Sequence, residues 1–341
     1  MSRINTISEF LLHGGTDYRV FDMGRAIRPQ SSQTFLDFEL THIPAPYPRQ
    51  QHAWFGIIFI NKGLSQEHYI WFVKLPLDEQ GKLISAARNQ FLQIVVEALG
   101  AEMEKSKNAQ AGLPENPFTF VPNQQQLASF NSITRHALAL APSQYFELTQ
   151  QYLHSPQNID WQQLSLQGIA DLGARINEES IHRLLLQQFA FLAAEVQRAL
   201  CDSLENHPVD SALGEIIVSE WRKHPAENDF LLAMLRALSQ CEDGDLITSV
   251  LLEVLSHDER ISDNLLVLIA ARHWQQLANQ QIMSLFIHRL SQSDVNLFGG
   301  LFRDLVQIPS CRDAMLNVLR WPTKEPALAL RIKTLFESQH P

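Results

Sequence analysis

The hydrophobic rhythm of the chain changes about one third of the way along. Ile4 to His13 puts Ile4, Ile7, Phe10 and Leu11 on one helical face and runs into Gly14-Gly15, which predicts a short helix and its stop. Asp17 to Gly24 (DYRVFDMG) has the composition of a strand. Thr34 to Leu40 (TFLDFEL) alternates, with Leu36, Phe38 and Leu40 on one side and Phe35, Asp37 and Glu39 on the other, and this period of two predicts a half-exposed strand. Ala53 to Asn61 and His68 to Leu75 are apolar on both faces, as strands covered on both sides are. KGLSQE between them reads as a hairpin loop. These segments predict an antiparallel sheet of about four strands, the last two central. An amphipathic helix over 79–99, with Ile84, Ala87, Phe91, Ile94 and Val95 as its buried stripe, covers one face. The other face is left for the C-terminal half or a second copy of the chain.

Apolar content collapses between Glu102 and Pro117, the best candidate for a linker. Beyond it the chain reads as helix after helix, with apolar residues at i, i+3, i+4 and i+7. The helices recur in pairs. First members open near Pro208, Asp243, Gln276 and Cys311, and second members near Glu227, Arg260, Asp294 and Glu325, a repeat of 31–35 residues. That spacing suits a helical solenoid. No TPR signature is present, so a HEAT-like array is expected, with an irregular bundle as the alternative. The expected organisation is an α+β domain over residues 1–120 and an all-α HEAT-like repeat domain over 121–341.

Charge sharpens the division. The whole chain carries a net charge of −10. Residues 1–120 hold 11 basic and 12 acidic side chains, so the remaining 16 basic and 25 acidic residues leave the C-terminal part at −9. An acidic array disfavours nucleic acid as the main partner, because phosphate contacts need a basic footprint. The three cysteines are far apart and form no CxxC pair, which fits a reducing cytoplasm. No export signal is visible, and no apolar run approaches the length of a membrane span.

The densest local signal is WFVKLPLDEQGKL, from Trp71 to Leu83. A phosphate-binding loop of the form GxxxxGK[ST] would need glycine where Pro76 stands and a hydroxyl where Leu83 stands. Both positions fail. The segment reads better as a strand stopped by Pro76, followed by a helix with Asp78 as N-cap and Glu79 in its first turn. Lys74 fits less plainly, since it shares a strand face with Ile70 and Phe72. It either snorkels past the strand end, pairs with Asp78 or Glu79, or joins Arg19 and Arg25 in a cationic pocket. HGGT has no GxSxG elbow to accompany it, and PAPYPRQ reads as an extended crossover between strands. The 13 histidines show no metal spacing, and no catalytic set, metal site or cofactor site is read from the sequence.

Three stretches, TDYRVFDMGR, PYPRQQHAW and IWFVKLPLDEQGKLISAARNQFL, resemble domain-of-unknown-function family 3549, a family of gammaproteobacterial proteins. The resemblance implies a bacterial, cytoplasmic protein. It carries no assigned reaction and no catalytic residue. The function expected from the residues is a non-enzymatic scaffold whose acidic array binds a protein partner. The alternative is an N-terminal domain that senses or transforms an anionic small molecule through Arg19, Arg25, Lys74, Asp78 and Glu79. Homo-oligomerisation is left open by the two-faced apolar strands.

Overall fold

A computed structural model describes residues 4–60, 68–104, 114–257, 261–322 and 325–337. The expected hairpin loop and most of the expected linker lie outside them. The chain divides into two compact units, one of residues 1–121 with 306–312, the other of 122–305 with 313–341.

The first unit is built on a four-stranded antiparallel sheet of order β2-β1-β3-β4. Its strands are β1 (Asp17–Asp22), β2 (Arg28–Gln30), β3 (His52–Ile60) and β4 (Tyr69–Pro76). Three helices, α1 (Ile7–His13), α2 (Ser32–Glu39) and α3 (Ser85–Glu104), accompany it. Ala53, Phe55, Ile57, Val73 and Leu75 turn to one face of the sheet, where Ile7, Leu11, Phe35, Phe38, Phe91 and Val95 from the helices form a single core with them. Aromatic edges order this core. Phe35 meets Phe55 at 5.0 Å, and Trp71 meets Phe91 at 6.0 Å and 89°.

Three expectations for this unit are corrected. TFLDFEL is a helix and not a strand. Ser31 accepts from the Thr34 amide at 3.0 Å as its N-cap, and Phe35, Phe38 and Glu39, spaced at i, i+3 and i+4, all turn inward. A seven-residue stretch with Phe35 and Phe38 fits both periods, and the cap decides between them. The fourth strand is instead β2, three residues long. β3 is central, but β4 is the last strand in the sheet order. Its outer side receives a short bridge from residues 118–120, through Lys74 N to Phe118 O at 2.8 Å and Phe120 N to Phe72 O at 3.2 Å. The third helix opens at Ser85 and not at 79. Asp78 Oδ1 accepts from the Gln80 and Lys82 amides at 2.8 and 2.9 Å, so it closes a turn and caps no helix. Gly81, at φ +77°, completes that turn. Ile84 consequently precedes the helix and is 41% exposed, while Ala87, Phe91 and Val95 are buried as expected.

Glu39 ties the helices of this unit together. Its buried carboxylate accepts from the Ile7 amide at 2.5 Å, the Ser8 amide at 3.0 Å and the Ser8 hydroxyl at 2.5 Å. It thus occupies the N-terminus of α1, where the amides lack intrahelical partners. Burial raises its pKa, and the Ser8 and Ile7 donors oppose that rise. Arg88 of α3 donates to the Glu39 carbonyl. Residues of α1 and α3 therefore converge on one residue of α2.

The second unit contains α4 (Gln124–Ala137), α5 (Phe146–His154), α6 (Leu166–Gly173), α7 (Glu179–Gln188), α8 (Ala194–Leu204), α9 (Ser211–Lys223) and α10 (Asn228–Leu238). It continues through α11 (Gly244–Ser256), α12 (Asp263–Arg272), α13 (Gln280–Gln292), all but the end of α14 (Val295–Gln307), the latter part of α15 (Pro309–Val318) and α16 (Pro326–Glu337), residues 306–312 belonging to the first unit. Helices two apart in sequence pack on each other. One row runs α4, α6, α8, α10, α12 and the other α5, α7, α9, α11, α13. Side chains link several of these helices to the predecessor in the row. His273 Nε2 donates to Leu235 O at 2.8 Å, and Arg289 Nε donates to Leu255 O at 3.0 Å. Both acceptors lie in the last turn of the preceding helix, where carbonyls are left over. Asp202 and Arg236, 34 residues apart, form an ion pair at 3.0 Å. The turns register as well, through a parallel bridge between Val209 and Cys241.

Two outcomes test these contacts. Glu39→Ala leaves buried amides of α1 without an acceptor and costs about 3 kcal/mol in urea denaturation, with faster amide exchange in α1. His273 is pushed down to about 4 by burial, below its usual 6.5. The unfolded chain then binds the proton more readily, so acidification from about pH 6.5 to pH 4 removes stability. His273→Gln, which keeps a donor at the Nε2 position without titrating, flattens that part of the melting-temperature profile.

Candidate functional site

Three loops meet at one end of the sheet of the first unit. The turn after β1 carries Met23 to Ile27, the segment before β3 carries Pro44 to Gln51, and the turn after β4 carries Leu77 to Leu83. Backbone bonds tie them together: Met23 N to Trp54 O at 2.8 Å, Ala45 N to Gly81 O at 2.8 Å and Leu77 N to Gln51 O at 2.8 Å. Gly24 is required here because a Cβ on it would stand 2.1 Å from Tyr47 O.

Strand register sorts the polar side chains between the two faces of the sheet. Asp22 lies opposite Arg28 on one side and Phe55 on the other, so it turns to the same face as the core. Trp54 lies opposite Lys74 and turns to the other face. On that face the Lys74 ammonium sits 5.7 Å and the Arg49 guanidinium 4.6 Å from the Trp54 ring centroid. Trp54 Nε1 donates to Arg49 O at 3.0 Å, and Phe120 meets the indole edge-on at 4.8 Å. On the core side, the Arg28 guanidinium lies 4.5 Å from the Tyr47 ring centroid.

The five residues expected to form a site are thus only partly assembled. Lys74 is at this sheet end, over an aromatic ring and not in an ion pair with Asp78 or Glu79. Arg25 is close by but buried, with Nε donating to Pro48 O at 2.9 Å. Arg19 is opposite Ile58, four residues along β3 from Trp54, which removes it by about 13 Å along the strands. Asp78 and Glu79 are exposed, and Asp78 is committed to its own turn. Asp22, Arg28, Tyr47, Arg49 and Trp54 were not expected. Four of them lie inside the words DYRVFDMGR and PYPRQQHAW, but only strand pairing shows that these words meet.

Asp22 is the most unusual group. It is 1% exposed, its Oδ1 accepts from the Gly24 amide at 2.9 Å, and its Oδ2 has no hydrogen-bond partner among the described residues. Burial pushes its pKa up to about 7, against the pull of the Gly24 amide and the charges of Arg28 and Arg25.

The second unit offers a cavity of about 350 Å³ at the start of α12 and the end of α13, lined by Ile261, Ser262, Asp263, Leu266, Arg289, Gln292 and Ser293. Burial raises the thiol pKa of Cys201, and pushes that of Cys311 up to about 11, so neither supplies a thiolate near neutral pH. Among the described residues no group of histidine, cysteine and acidic side chains is placed to hold a metal ion, and no helix is long and apolar enough to cross a membrane.

The chain therefore combines a small antiparallel α+β unit, with a cationic and aromatic sheet end, and a unit of helices stacked in two rows. It belongs to the family described as Protein of unknown function (DUF3549), whose model matches residues 2–336. No curated protein and no solved structure matches the chain.

The Trp54 stack is a packing unit that tolerates loss of the Lys74 charge. Lys74→Met changes stability by less than about 1 kcal/mol. Trp54→Ala costs about 3 kcal/mol, because the ring fills the space under Phe120. A double-mutant cycle in urea gives a coupling of about 0.5–1 kcal/mol between the two positions.

Proposed function

We propose that the protein is a non-enzymatic adaptor of the cytoplasm, in which a HEAT-like array over residues 121–341 presents a surface to a protein partner and residues 1–120 form a separate α+β domain. The observation that carries this reading is the two-row stacking of α4 to α13. Stacked helix pairs build extended faces from side chains at equivalent positions of successive repeats, and such faces suit polypeptide partners better than small substrates. Glu215 of α9, Ser249 of α11 and Ser284 of α13 illustrate this, being exposed and 34 and 35 residues apart on successive helices of one row. The free cysteines agree with a reducing compartment.

The test is capture of partners by the full chain and by a variant carrying E215K, S249K and S284K. A specific partner retained by the wild type, lost by the triple variant at unchanged melting temperature and kept by Lys74→Met is the expected result. Equal retention by all three, or no retained protein at all, defeats the reading.

A second reading is favoured by one observation, the convergence of Arg49 and Lys74 on Trp54 at the sheet end. Two cations on an aromatic face suit an anionic small molecule. Thermal-shift screening against nucleotides and carboxylates tests it, and a shift abolished by Lys74→Met is the result that would establish it.

A further inference from the structure

The turn that leads into β3 is made of residues that do not favour its backbone. Gln50 and Gln51 both stand in the left-handed region, at φ 51° and 60°, which a residue with a Cβ adopts at a cost. The bonds to its carbonyls hold it there. Arg49 O accepts from the His52 amide and from Trp54 Nε1, each at 3.0 Å. Gln50 O accepts from His52 Nδ1 at 2.7 Å, and Gln51 O from the Leu77 amide at 2.8 Å. Strain persists where the surroundings over-determine it, and here it fixes the two residues that flank the turn, Arg49 and His52.

Both lie beside Trp54, on the face of the sheet that carries Lys74. His52 and Trp54 stand opposite Pro76 and Lys74, so His52 and Lys74 are diagonal neighbours on that face, close enough to share one small group. The His52 ring centroid is 6.2 Å from that of Trp54, with the Lys74 ammonium at 5.7 Å and the Arg49 guanidinium at 4.6 Å. The neighbouring positions on this face, Gly56, Phe72 and Pro76, bring no acid. Lys74 is half-buried, and among the described residues its ammonium meets the indole and no carboxylate. A cation so placed favours an anion. The histidine narrows the kind. A carbonyl only accepts, so Nδ1 carries the hydrogen in its bond to Gln50 O, and in the neutral ring Nε2 is then an acceptor. An acceptor beside a cation suits an anion that brings its own proton. Hydrogen phosphate does so, and sulfate and carboxylates do not.

We propose that Lys74 and His52, with the charge of Arg49 beside them, form a site for hydrogen phosphate, in which the anionic oxygens face Lys74 and the P–OH donates to His52 Nε2. This rests on the second reading above, that an anion binds at this sheet end, and adds His52 and the class of anion.

The test titrates the full chain with inorganic phosphate and, separately, with sulfate, by calorimetry at about pH 8. Both are then dianions of one shape, and phosphate alone keeps a proton. Phosphate should bind at least about tenfold more tightly than sulfate. His52→Phe should remove that preference, and Lys74→Met should weaken phosphate binding by about tenfold. Gln50→Asn with Gln51→Gly, a pair suited to the left-handed turn, should raise the melting temperature by a few degrees and keep the preference. Loss of the preference in that more stable variant overturns the part given to the turn backbone. Equal affinities in the wild type, or a preference that survives His52→Phe, overturn the inference and leave the second reading standing. Binding of neither anion also overturns it, and the second reading is then decided by its own screen of nucleotides and carboxylates. If His52→Phe fails to fold, the wild-type ratio of phosphate to sulfate affinity still decides.

Discussion

A helix end buried inside a protein carries amides or carbonyls that water cannot reach, and much of this structure depends on how those groups are satisfied. In the first unit the solution is a carboxylate. Glu39, from the last turn of α2, reaches the first amides of α1, while Arg88 of α3 binds the carbonyl of the same residue. In the second unit the solution is cationic or imidazole donors that reach back one helix in the row. His273 and Arg289 bond carbonyls 38 and 34 residues earlier. Arg331 of α16 does the same for Ser291 at the end of α13, 40 residues earlier. Apolar burial is non-directional and would allow helices to slide. These bonds fix where along its axis each helix stops.

Much of the architecture was legible in the residues, for a physical reason that differs between the units. Long amphipathic helices declare themselves through many repeats of one period, and α9 to α13 each do so. β3 and β4 declare themselves because aromatic and β-branched residues dominate both of their faces. Short elements are ambiguous. Seven residues from Thr34 to Leu40 support two periods at once, and the deciding signal is Ser31, one serine placed to receive an amide. β2 is illegible in isolation, since three residues including a proline become a strand only through pairing with Val20 to Asp22. Asp78 shows the complementary error. An aspartate before a helical pattern suits both an N-cap and a turn, and Gly81 at positive φ tips the balance to the turn.

The candidate site was legible only in part because it is made by register. Lys74 stood out in the sequence as a cation on an apolar face, yet its partner is an indole and not an acid. That indole comes from Trp54, twenty residues away, placed opposite Lys74 by antiparallel pairing. Asp22 looked like an ordinary polar residue near a strand end. Its burial follows from its place on the core face of the sheet, opposite Phe55, which no local pattern states.

The parallel bridge between Val209 and Cys241 has a bearing on how chain length can vary in the array. The turns before α9 and α11 hydrogen-bond to each other through Val209 N to Gln240 O and Glu242 N to Val209 O. An extra residue in either turn would break the register of both and misplace two helix starts capped by Asp210 and Asp243. The turn between α9 and α10 has the bonds His224 N to Trp221 O and Glu227 N to His224 O, which close within the turn, and most of its residues face solvent. An inserted residue is therefore better tolerated in the turn between α9 and α10 than in the turns that precede α9 and α11.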